Sequence, residues 1–239
     1  MDSKNILILG GSFGIGFALV KRMLSRGASV TVVSRTEGEL ATEPLPATGS
    51  LKHIVADLTS TVLDADLLPE CIDGFVYCPG SINLGPLRSV KAETLRSDFE
   101  LNVVAAMTAF QAAMKGLKAA PNASAVFFST VAVGRGLPMH TSVAASKGAV
   151  EALVRTWAAE LAPKIRVNCI APALTDTRLA EKFLRTDAMR QAMADKYPLG
   201  RIGSPEDCAA MAEFLLTEES GWITGQVLAI DGGMSSIIR

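Results

Sequence analysis

Short apolar runs alternate with longer segments of helical periodicity along almost the whole chain. Several of these runs lack in–out alternation, which is typical of strands that are covered on both faces of a sheet. The pattern predicts strands at residues 5–9, 29–34, 53–56, 74–78, 125–129, 166–170 and 226–230, and helices at 14–25, 92–118, 142–161 and 205–216. Because strands and helices alternate, we expect an α/β fold with a doubly wound parallel sheet of about seven strands and helices on both faces.

Two segments interrupt this alternation. Residues 36–50 contain two prolines and little apolar periodicity, which predicts a loop with at most a short helix. Residues 173–198 follow a predicted strand and are rich in charged residues and methionines. Since insertions at the carboxyl edge of such sheets often cover a ligand, we interpret this segment as a flap over a substrate site. No linker or repeat divides the chain, so residues 1–239 are predicted to form a single domain.

Composition and charge narrow the range of partners. The 239 residues are 49% hydrophobic and carry 23 Lys and Arg against 24 Asp and Glu, a net charge of −1. This balance favours neither a nucleic-acid-binding surface nor an acidic tail. No apolar run has the length of a secretory signal or a membrane span, and the four cysteines lack CxxC spacing. We therefore expect a cytoplasmic protein that binds no nucleic acid, inserts into no membrane and holds no metal.

A glycine-rich turn links the first predicted strand to the first predicted helix. Residues 9–16 space their glycines as Gly-x-x-x-Gly-x-Gly rather than Gly-x-Gly-x-x-Gly. Glycines let phosphates approach the backbone closely, and the helix N-terminus attracts their negative charge. The turn therefore predicts a Rossmann-like dinucleotide site, with a turn that binds no ligand as the alternative. The expected contacts in the turn are Gly10, Ser12, Phe13, Gly14, Ile15 and Gly16.

The end of the second predicted strand distinguishes the two nicotinamide dinucleotides. An acidic residue there would bind a ribose 2′-hydroxyl, whereas an arginine would accept a 2′-phosphate. Arg35 lies at this point between the hydroxyls of Ser34 and Thr36, which favours NADP(H) over NAD(H). A solvated loop arginine is the alternative. After the third strand, Asp57 and Leu58 are placed to contact the adenine, although Asp57 could instead cap the next helix.

Further motifs extend this interpretation to a family. They are residues 101–103, 144–149, 166–172, 198–207, 223–226 and 231–233. In order and separation these segments, together with the glycine turn, resemble the classical short-chain dehydrogenases/reductases over nearly the full length of the chain. The resemblance implies an oxidoreductase that acts on the carbonyl or alcohol group of a small molecule.

The resemblance also implies roles for particular residues. Lys147 matches the lysine that grips the nicotinamide ribose, Asn102 matches the asparagine that helps to hold a proton-relay water, and Thr130 falls at the serine position. The family's Asn-Asn-Ala-Gly turn and Pro-Gly segment are altered here, but both positions are still expected to line the cofactor. Their residues are Cys78, Pro79 and Gly80 after the fourth strand, and Pro172, Ala173, Leu174 and Thr175 after the sixth.

One catalytic position departs from the family pattern. The tyrosine of the family's Tyr-x-x-x-Lys motif falls on Val143, which has no proton to donate. Candidate replacement donors are His140, Thr130, Ser129, Ser142 and a water held by Lys147 and Asn102. We favour an NADP(H)-dependent oxidoreductase that uses such a donor. The alternatives are a non-catalytic NADP(H)-binding sensor or partner subunit, and non-redox chemistry such as dehydration or isomerisation in the same cleft.

Two helical segments, residues 101–114 and 143–161, carry apolar residues beyond a single buried stripe. Such helices are either deeply buried or pack against another subunit. The resemblance implies pairing through these helices, usually in tetramers. We therefore expect a homo-oligomer, either a dimer or a tetramer.

Overall fold

The structure is a computed structural model and describes residues 4–237. Its seven strands are β1 (Asn5–Leu9), β2 (Ser29–Ser34), β3 (Ser50–Val55), β4 (Gly74–Tyr77), β5 (Ala123–Phe128), β6 (Ile165–Pro172) and β7 (Val227–Ile230). They form one sheet in the order β3-β2-β1-β4-β5-β6-β7, and every neighbouring pair is parallel. The doubly wound parallel sheet predicted from the sequence is confirmed.

Eight α-helices connect or cover these strands in the described part of the chain. They are α1 (Gly14–Ser25), α2 (Glu39–Thr42), α3 (Ala92–Phe99), α4 (Ala105–Ala119), α5 (Ala132–Arg135), α6 (Thr141–Leu161), α7 (Asp187–Ala194) and α8 (Pro205–Leu216). Among residues 4–237, no helix has the length and hydropathy needed to cross a bilayer. The same residues contain no group of three or more His, Cys, Asp or Glu side chains arranged to hold a metal ion.

The core consists of two apolar layers, one on each face of the sheet. In β1, Leu7 and Leu9 belong to the cluster that packs against α4 and α6, whereas Ile6 and Ile8 belong to the cluster that contains α1 and α8. Alternate side chains therefore point to opposite faces, and both faces are apolar because both are covered. This explains why the strands read as continuous apolar runs.

The predicted helix at 92–118 is interrupted. A π-helical turn, Glu100–Val104, separates α3 from α4 and brings Asn102 into a buried position. Within this turn the carbonyl of Leu101 accepts a 2.6 Å hydrogen bond from the Tyr77 hydroxyl at the end of β4. The π-helical turn is therefore hydrogen-bonded to a residue of the sheet, and periodicity along the helix does not reveal this interaction.

Strand limits also differ from the prediction at the edges of the sheet. β3 begins at Ser50 rather than at residue 53, because its first residues pair with β2 although their side chains are exposed. β6 extends to Pro172, which pairs with Ile230 of β7. The segment predicted as a loop after β2 contains only the one-turn helix α2, in agreement with its prolines. The segment 173–198 contains a 3₁₀ segment, Arg178–Phe183, and α7.

Candidate active site

The candidate site lies at the carboxyl ends of β1 and β4, where the strand order reverses. The Gly10 N–H donates to the Val33 carbonyl of β2 at 2.8 Å, and the Cys78 N–H donates to the Leu9 carbonyl at 2.9 Å. These bonds place the glycine turn beside the turn that follows β4. Ligands of open α/β sheets bind in this crevice, where successive connections leave on opposite faces of the sheet.

The glycine turn is too tightly folded for side chains at its closest approach. A Cβ atom at Gly16 would lie 2.2 Å from the Gly10 carbonyl oxygen, and one at Gly10 would lie 3.0 Å from the Pro79 ring. Gly10 and Gly14 also have positive φ angles of 76° and 56°. The N-cap residue of α1, Phe13, provides no side-chain cap. The start of α1 thus has the form of a phosphate-binding turn.

The segment 173–198 reaches this turn. The Thr177 Cγ2 atom lies 3.1 Å from the position that a Cβ of Gly14 would take, and the Arg178 guanidinium lies 4.9 Å from the centre of the Phe13 ring. The sequence motifs did not indicate that Thr177 and Arg178 contact the glycine turn. A signal was available, because insertions after the sixth strand of such sheets return over the ligand cleft.

The base of this segment is tied to the sheet and to the loop before α8. The Leu174 carbonyl accepts a 3.1 Å hydrogen bond from the Gly203 N–H, and Thr175 forms a parallel bridge with the same glycine. The Thr175 hydroxyl donates to the Ala173 carbonyl at 3.2 Å, and the Pro172 carbonyl accepts from Val131 at 3.1 Å. The four predicted cofactor residues 172–175 therefore have fixed backbones at the edge of the cleft.

Lys147 enters the cleft from α6 and is only 6% exposed. Its Nζ atom donates a 2.9 Å hydrogen bond to the Phe128 carbonyl at the end of β5. Burial lowers the pKa of the Lys147 ammonium to about 8, against smaller opposing effects of Cys169, Cys78 and Asp98. The amine is therefore a buried acid whose protonation changes near neutral pH.

Gly80 leaves an opening beside this amine. A Cβ at Gly80 would lie 3.3 Å from Lys147 Nζ and 3.5 Å from Asn102 Oδ1. Among the described residues, Asn102 Oδ1 is the one buried side-chain nitrogen or oxygen atom without a hydrogen-bond partner. Its amide nitrogen donates to the Asp98 carbonyl, Ser81 Oγ and Ser146 Oγ at 2.8, 3.3 and 3.2 Å. An unpaired acceptor beside an amine fits a bound hydroxyl group or water.

At the end of the cleft where the nucleotide is predicted to lie, residues 35–37 after β2 are exposed. Arg35 is exposed just beyond β2, and Ser34 is buried, with its hydroxyl bonded to the Thr36 carbonyl at 2.9 Å. Asp57 accepts hydrogen bonds from the Thr59 N–H and hydroxyl at 3.0 and 2.7 Å. Asp57 therefore caps its own turn and not the next helical segment, Ala65–Leu67, which is capped by Asp64. Its predicted contact with the adenine stays a prediction. The adjacent Leu58 packs against the core cluster that contains α4 and α6.

Two of the candidate proton donors, Ser129 and Thr130, lie just after β5 and form hydrogen bonds there. The Ser129 hydroxyl donates to the buried carboxylate of Glu151 at 2.7 Å. The Thr130 hydroxyl accepts a 3.3 Å hydrogen bond from the Ala132 N–H and lines a cavity of about 430 Å³ together with Glu151. The Ser129 proton is thus committed to Glu151, whereas the Thr130 hydroxyl only accepts in this bond and keeps its own proton.

The start of α6 carries the other candidates. His140 is half-buried, and its Nδ1 lies 2.7 Å from the Pro138 carbonyl. Ser142 is buried and donates to Asp98 at 2.5 Å. Val143, one helical turn before Lys147, is 5% exposed and presents only methyl groups. Neither tyrosine replaces the missing phenol at position 143. The Tyr77 hydroxyl donates to the Leu101 carbonyl, and burial raises its pKa.

The remaining phenol, Tyr197, is also buried. Its oxygen accepts a 3.2 Å hydrogen bond from the Leu174 N–H, and burial raises its pKa. Its role in the described structure is therefore to hold the backbone that follows β6.

A buried carboxylate, which the sequence motifs did not indicate, lies one turn before Asn102 in the same interrupted helix. Asp98 is 1% exposed and accepts hydrogen bonds from Ser81, Asn83 and Ser142. Its position four residues before Asn102 places both side chains on one side of the interrupted helix. Its three donors lie in other parts of the chain, so no local sequence pattern marked it.

Comparison with known proteins gives this geometry a context. A family model described as enoyl-(acyl carrier protein) reductase matches residues 10–235. The chain is 31% identical to 2-(S)-hydroxypropyl-CoM dehydrogenase 3 of Xanthobacter autotrophicus, covering 99% of this chain and 98% of that protein. It is 32% identical to the 3-oxoacyl-(acyl-carrier-protein) reductase FabG of Thermotoga maritima, covering 98% of each.

Solved structures agree with the sequence comparisons. The Pseudomonas aeruginosa RhlG/NADP active-site complex matches with a TM-score of 0.90 at 28% identity, covering 98% of this chain and 97% of that one. A short-chain type dehydrogenase/reductase from Mycobacterium ulcerans has the same TM-score, 0.90, at 31% identity, covering 98% of this chain and 90% of that one. The chain therefore belongs to the short-chain dehydrogenase/reductase family of oxidoreductases.

Proposed function

We propose that this protein is an NADP(H)-dependent oxidoreductase that interconverts a carbonyl and an alcohol on a small molecule without a catalytic tyrosine. The observation that carries the proposal is the opening at Gly80, where the buried amine of Lys147 and the unpaired Asn102 Oδ1 lie within 3.5 Å of one point. Val143 stands where the family has its tyrosine, so the acid must come from another group.

The reaction requires a hydride and a proton. When bound, the nicotinamide supplies the hydride to the carbonyl carbon. The oxygen then needs a proton, and a placed general acid contributes about 10²–10⁴-fold to such a step. The Lys147 ammonium, with a pKa of about 8, is suited to this task because its proton affinity lies close to neutral pH.

A water held between Lys147 and Asn102 Oδ1 would complete the proton path. The water would donate to the Asn102 oxygen and accept from the ammonium, so both groups at the opening would be satisfied. The ammonium gives its proton through the water to the substrate oxygen, and the neutral amine regains one from solvent. Val143 contributes an apolar surface that excludes further water from the substrate side.

The cofactor assignment depends on Arg35. Its guanidinium is exposed just beyond β2, the point of such folds at which an arginine accepts the 2′-phosphate of NADP(H). The related RhlG structure is a complex with NADP, which supports the same choice here. We also propose that the protein is cytoplasmic and forms a homo-oligomer through α4 and α6.

A non-catalytic NADP(H)-binding protein is the second candidate. It is favoured by one observation, namely that the hydroxyls of Ser129 and Ser142 both donate to buried carboxylates rather than to the cleft. In such a protein the amine of Lys147 would hold the nicotinamide ribose and do nothing more.

Binding and turnover measured separately distinguish the two candidates. NADPH and NADH affinities are measured by fluorescence, and NADPH oxidation is then measured with a panel of ketones and aldehydes. The proposal expects binding together with substrate-dependent oxidation by the wild-type chain. Tight NADPH binding with no oxidation on any substrate, combined with activity that appears in Val143→Tyr, would establish the non-catalytic candidate instead.

A further inference from the structure

Tyr77 is the last residue of β4 and is connected to both walls of the opening at Gly80. Its side chain is buried, with 2% of the residue exposed, and its ring centre lies 6.4 Å from that of Phe127 in β5. Gly80 follows three residues later and forms one wall. The other wall carries Asn102, whose Oδ1 atom would lie 3.5 Å from a Cβ at Gly80. Tyr77 is therefore joined to the first wall by the chain itself.

A hydrogen bond joins Tyr77 to the second wall. The phenol donates to the Leu101 carbonyl at 2.6 Å, within the π-helical turn Glu100–Val104 and one residue before Asn102. Burial raises the pKa of the phenol, so it stays protonated and remains a donor at physiological pH. One side chain thus links the strand that leads to Gly80 with the turn that carries Asn102.

The direction of the Asn102 side chain depends on this turn. Turns of π-helix are rare and occur mostly as single turns inside α-helices, where they add a residue to the helix. One added residue changes the phase of a helix by about 100°. A return to regular α-helix between α3 and α4 would therefore rotate Asn102 relative to α4 and move its Oδ1 atom out of the opening.

No side chain holds the Asn102 oxygen itself. The amide nitrogen donates to the Asp98 carbonyl, Ser81 Oγ and Ser146 Oγ at 2.8, 3.3 and 3.2 Å. The Oδ1 atom has no hydrogen-bond partner among the described residues. The place of this acceptor is thus set by its own nitrogen and by the backbone of the turn, to which Tyr77 is bonded.

We propose that Tyr77 is a positioning residue, whose phenol holds the π-helical turn where Asn102 Oδ1 lies beside the Lys147 amine at the opening. Tyr77 acts through the Leu101 carbonyl and donates no proton to the substrate. This role rests on the proposed function, in which the Asn102 oxygen holds a water of the proton path. The orientation of Asn102 can nevertheless be measured without cofactor or substrate.

The test is NMR of the Asn102 side-chain amide in the protein without added cofactor. Its ¹⁵Nδ2 and proton signals are assigned by their absence from Asn102→Ala and compared between the wild type and Tyr77→Phe. Phenylalanine keeps the ring beside Phe127 and removes only the hydroxyl. We expect the signals to shift and the amide protons to exchange with solvent about tenfold faster or more, because the hydrogen bonds that protect them depend on the turn.

Tyr197→Phe is the matched control, because it removes the other phenol of the chain from a ring that is also buried. The Tyr197 oxygen accepts from the Leu174 N–H at 3.2 Å, so this variant likewise loses one hydrogen bond to the backbone, but after β6. Its Asn102 signals should match those of the wild type.

Tyr77→Met is a second donor-free variant should the phenylalanine variant fail to fold, since methionine adapts to irregular spaces. Unchanged Asn102 signals and exchange rates in a folded Tyr77 variant would overturn the proposal. Failure of both variants to fold would overturn it as well, because the phenol would then serve the fold alone.

Kinetics separate positioning from cofactor binding. In Tyr77→Phe, kcat for carbonyl reduction should fall about tenfold or more, because the proton path is displaced, while the Kd for NADPH stays within about twofold. Shifted Asn102 signals with an unchanged kcat would overturn the link to the proton path. Shifted signals in a protein whose wild type is inactive would retain Tyr77 as the residue that positions Asn102 while rejecting the oxidoreductase. Unchanged signals in an active chain would reject the role of Tyr77 alone.

Discussion

The two sides of the cleft differ in how completely their polar groups are fixed. On the cofactor side, Lys147 and Asn102 are buried and bonded to Phe128, Asp98 and Ser146, and one acceptor is left open toward Gly80. At the predicted substrate side, the start of α6 carries the buried, apolar Val143 and the half-buried His140.

This difference indicates which side of the cleft has polar groups that need a ligand. A buried lysine and an unpaired buried amide oxygen are costly in a protein that has no use for them. The apolar side chain of Val143 has no such desolvation cost, and it is compatible with many different substrates. The cofactor side therefore supports nucleotide binding strongly, whereas the chemistry depends on a single amine.

Replacing Lys147 has the largest expected effect. Lys147→Met fills the same volume without a proton, so kcat/KM for carbonyl reduction should fall by about 10²–10⁴-fold. Steady-state kinetics and circular dichroism check this together, with Lys115→Met on the exposed face of α4 as the control. Turnover within about twofold of the wild type would remove Lys147 from the mechanism and leave the substrate side to explain the activity.

The glycine turn should be the next most sensitive position. In Gly16→Ala the new methyl group would lie 2.2 Å from the Gly10 carbonyl oxygen, so the backbone must move. We expect the free energy of unfolding to fall by about 1–3 kcal/mol and NADPH binding to be lost. Gly134→Ala is the matched control, because a Cβ there meets no atom within 4 Å. Equal NADPH affinities for the two variants would contradict a phosphate site at this turn.

Removing Arg35 should change cofactor choice rather than fold. Hydrogen bonds to a charged group are worth about 1.5–3 kcal/mol, so Arg35→Ala should weaken NADPH binding about tenfold or more and leave NADH nearly unchanged. Fluorescence titration with both nucleotides measures the ratio. The control is Arg96→Ala, which removes an exposed arginine of α3. If the NADPH/NADH ratio of Arg35→Ala equalled that of the wild type, the cofactor assignment would be wrong.

The smallest expected effect is at His140. Its Nδ1 faces the Pro138 carbonyl and the ring is half-buried at the surface end of α6, so His140→Ala should keep kcat within about twofold of the wild type. Rates measured at pH 6, 7 and 8 test this across the range in which a histidine titrates. A loss of about 100-fold, confined to low pH, would transfer the role of the acid to the substrate side.

Sequence patterns predicted the parts of the molecule that repeat along the chain. The alternation of strands and helices, the glycine turn and the match of Lys147 to a family motif follow from apolar runs and motif spacing, because each depends on neighbouring residues. The break at Glu100–Val104 does not, since it depends on the Tyr77 hydroxyl, which reaches it from a different strand. The burial of Asp98 was not predicted for the same reason, because its donors lie in the loop after β4 and in α6.

The sequence indicated that segment 173–198 covers the cleft, but not that Thr177 and Arg178 are the residues that contact the glycine turn. Their contacts with Gly14 and Phe13 join segments more than 160 residues apart. Periodicity identifies a segment that leaves the sheet, and only tertiary packing determines where that segment returns.

The pH dependence of carbonyl reduction tests the role of Lys147 as the acid most directly. The Lys147 ammonium is the form that donates, and it predominates below its pKa of about 8. Reduction by the wild type, measured as kcat/KM for NADPH oxidation between pH 6 and 10, should therefore be highest at low pH and fall about tenfold per pH unit above pH 8. A profile that stays flat from pH 6 to 10 would contradict a lysine acid and, with it, the proposed proton path.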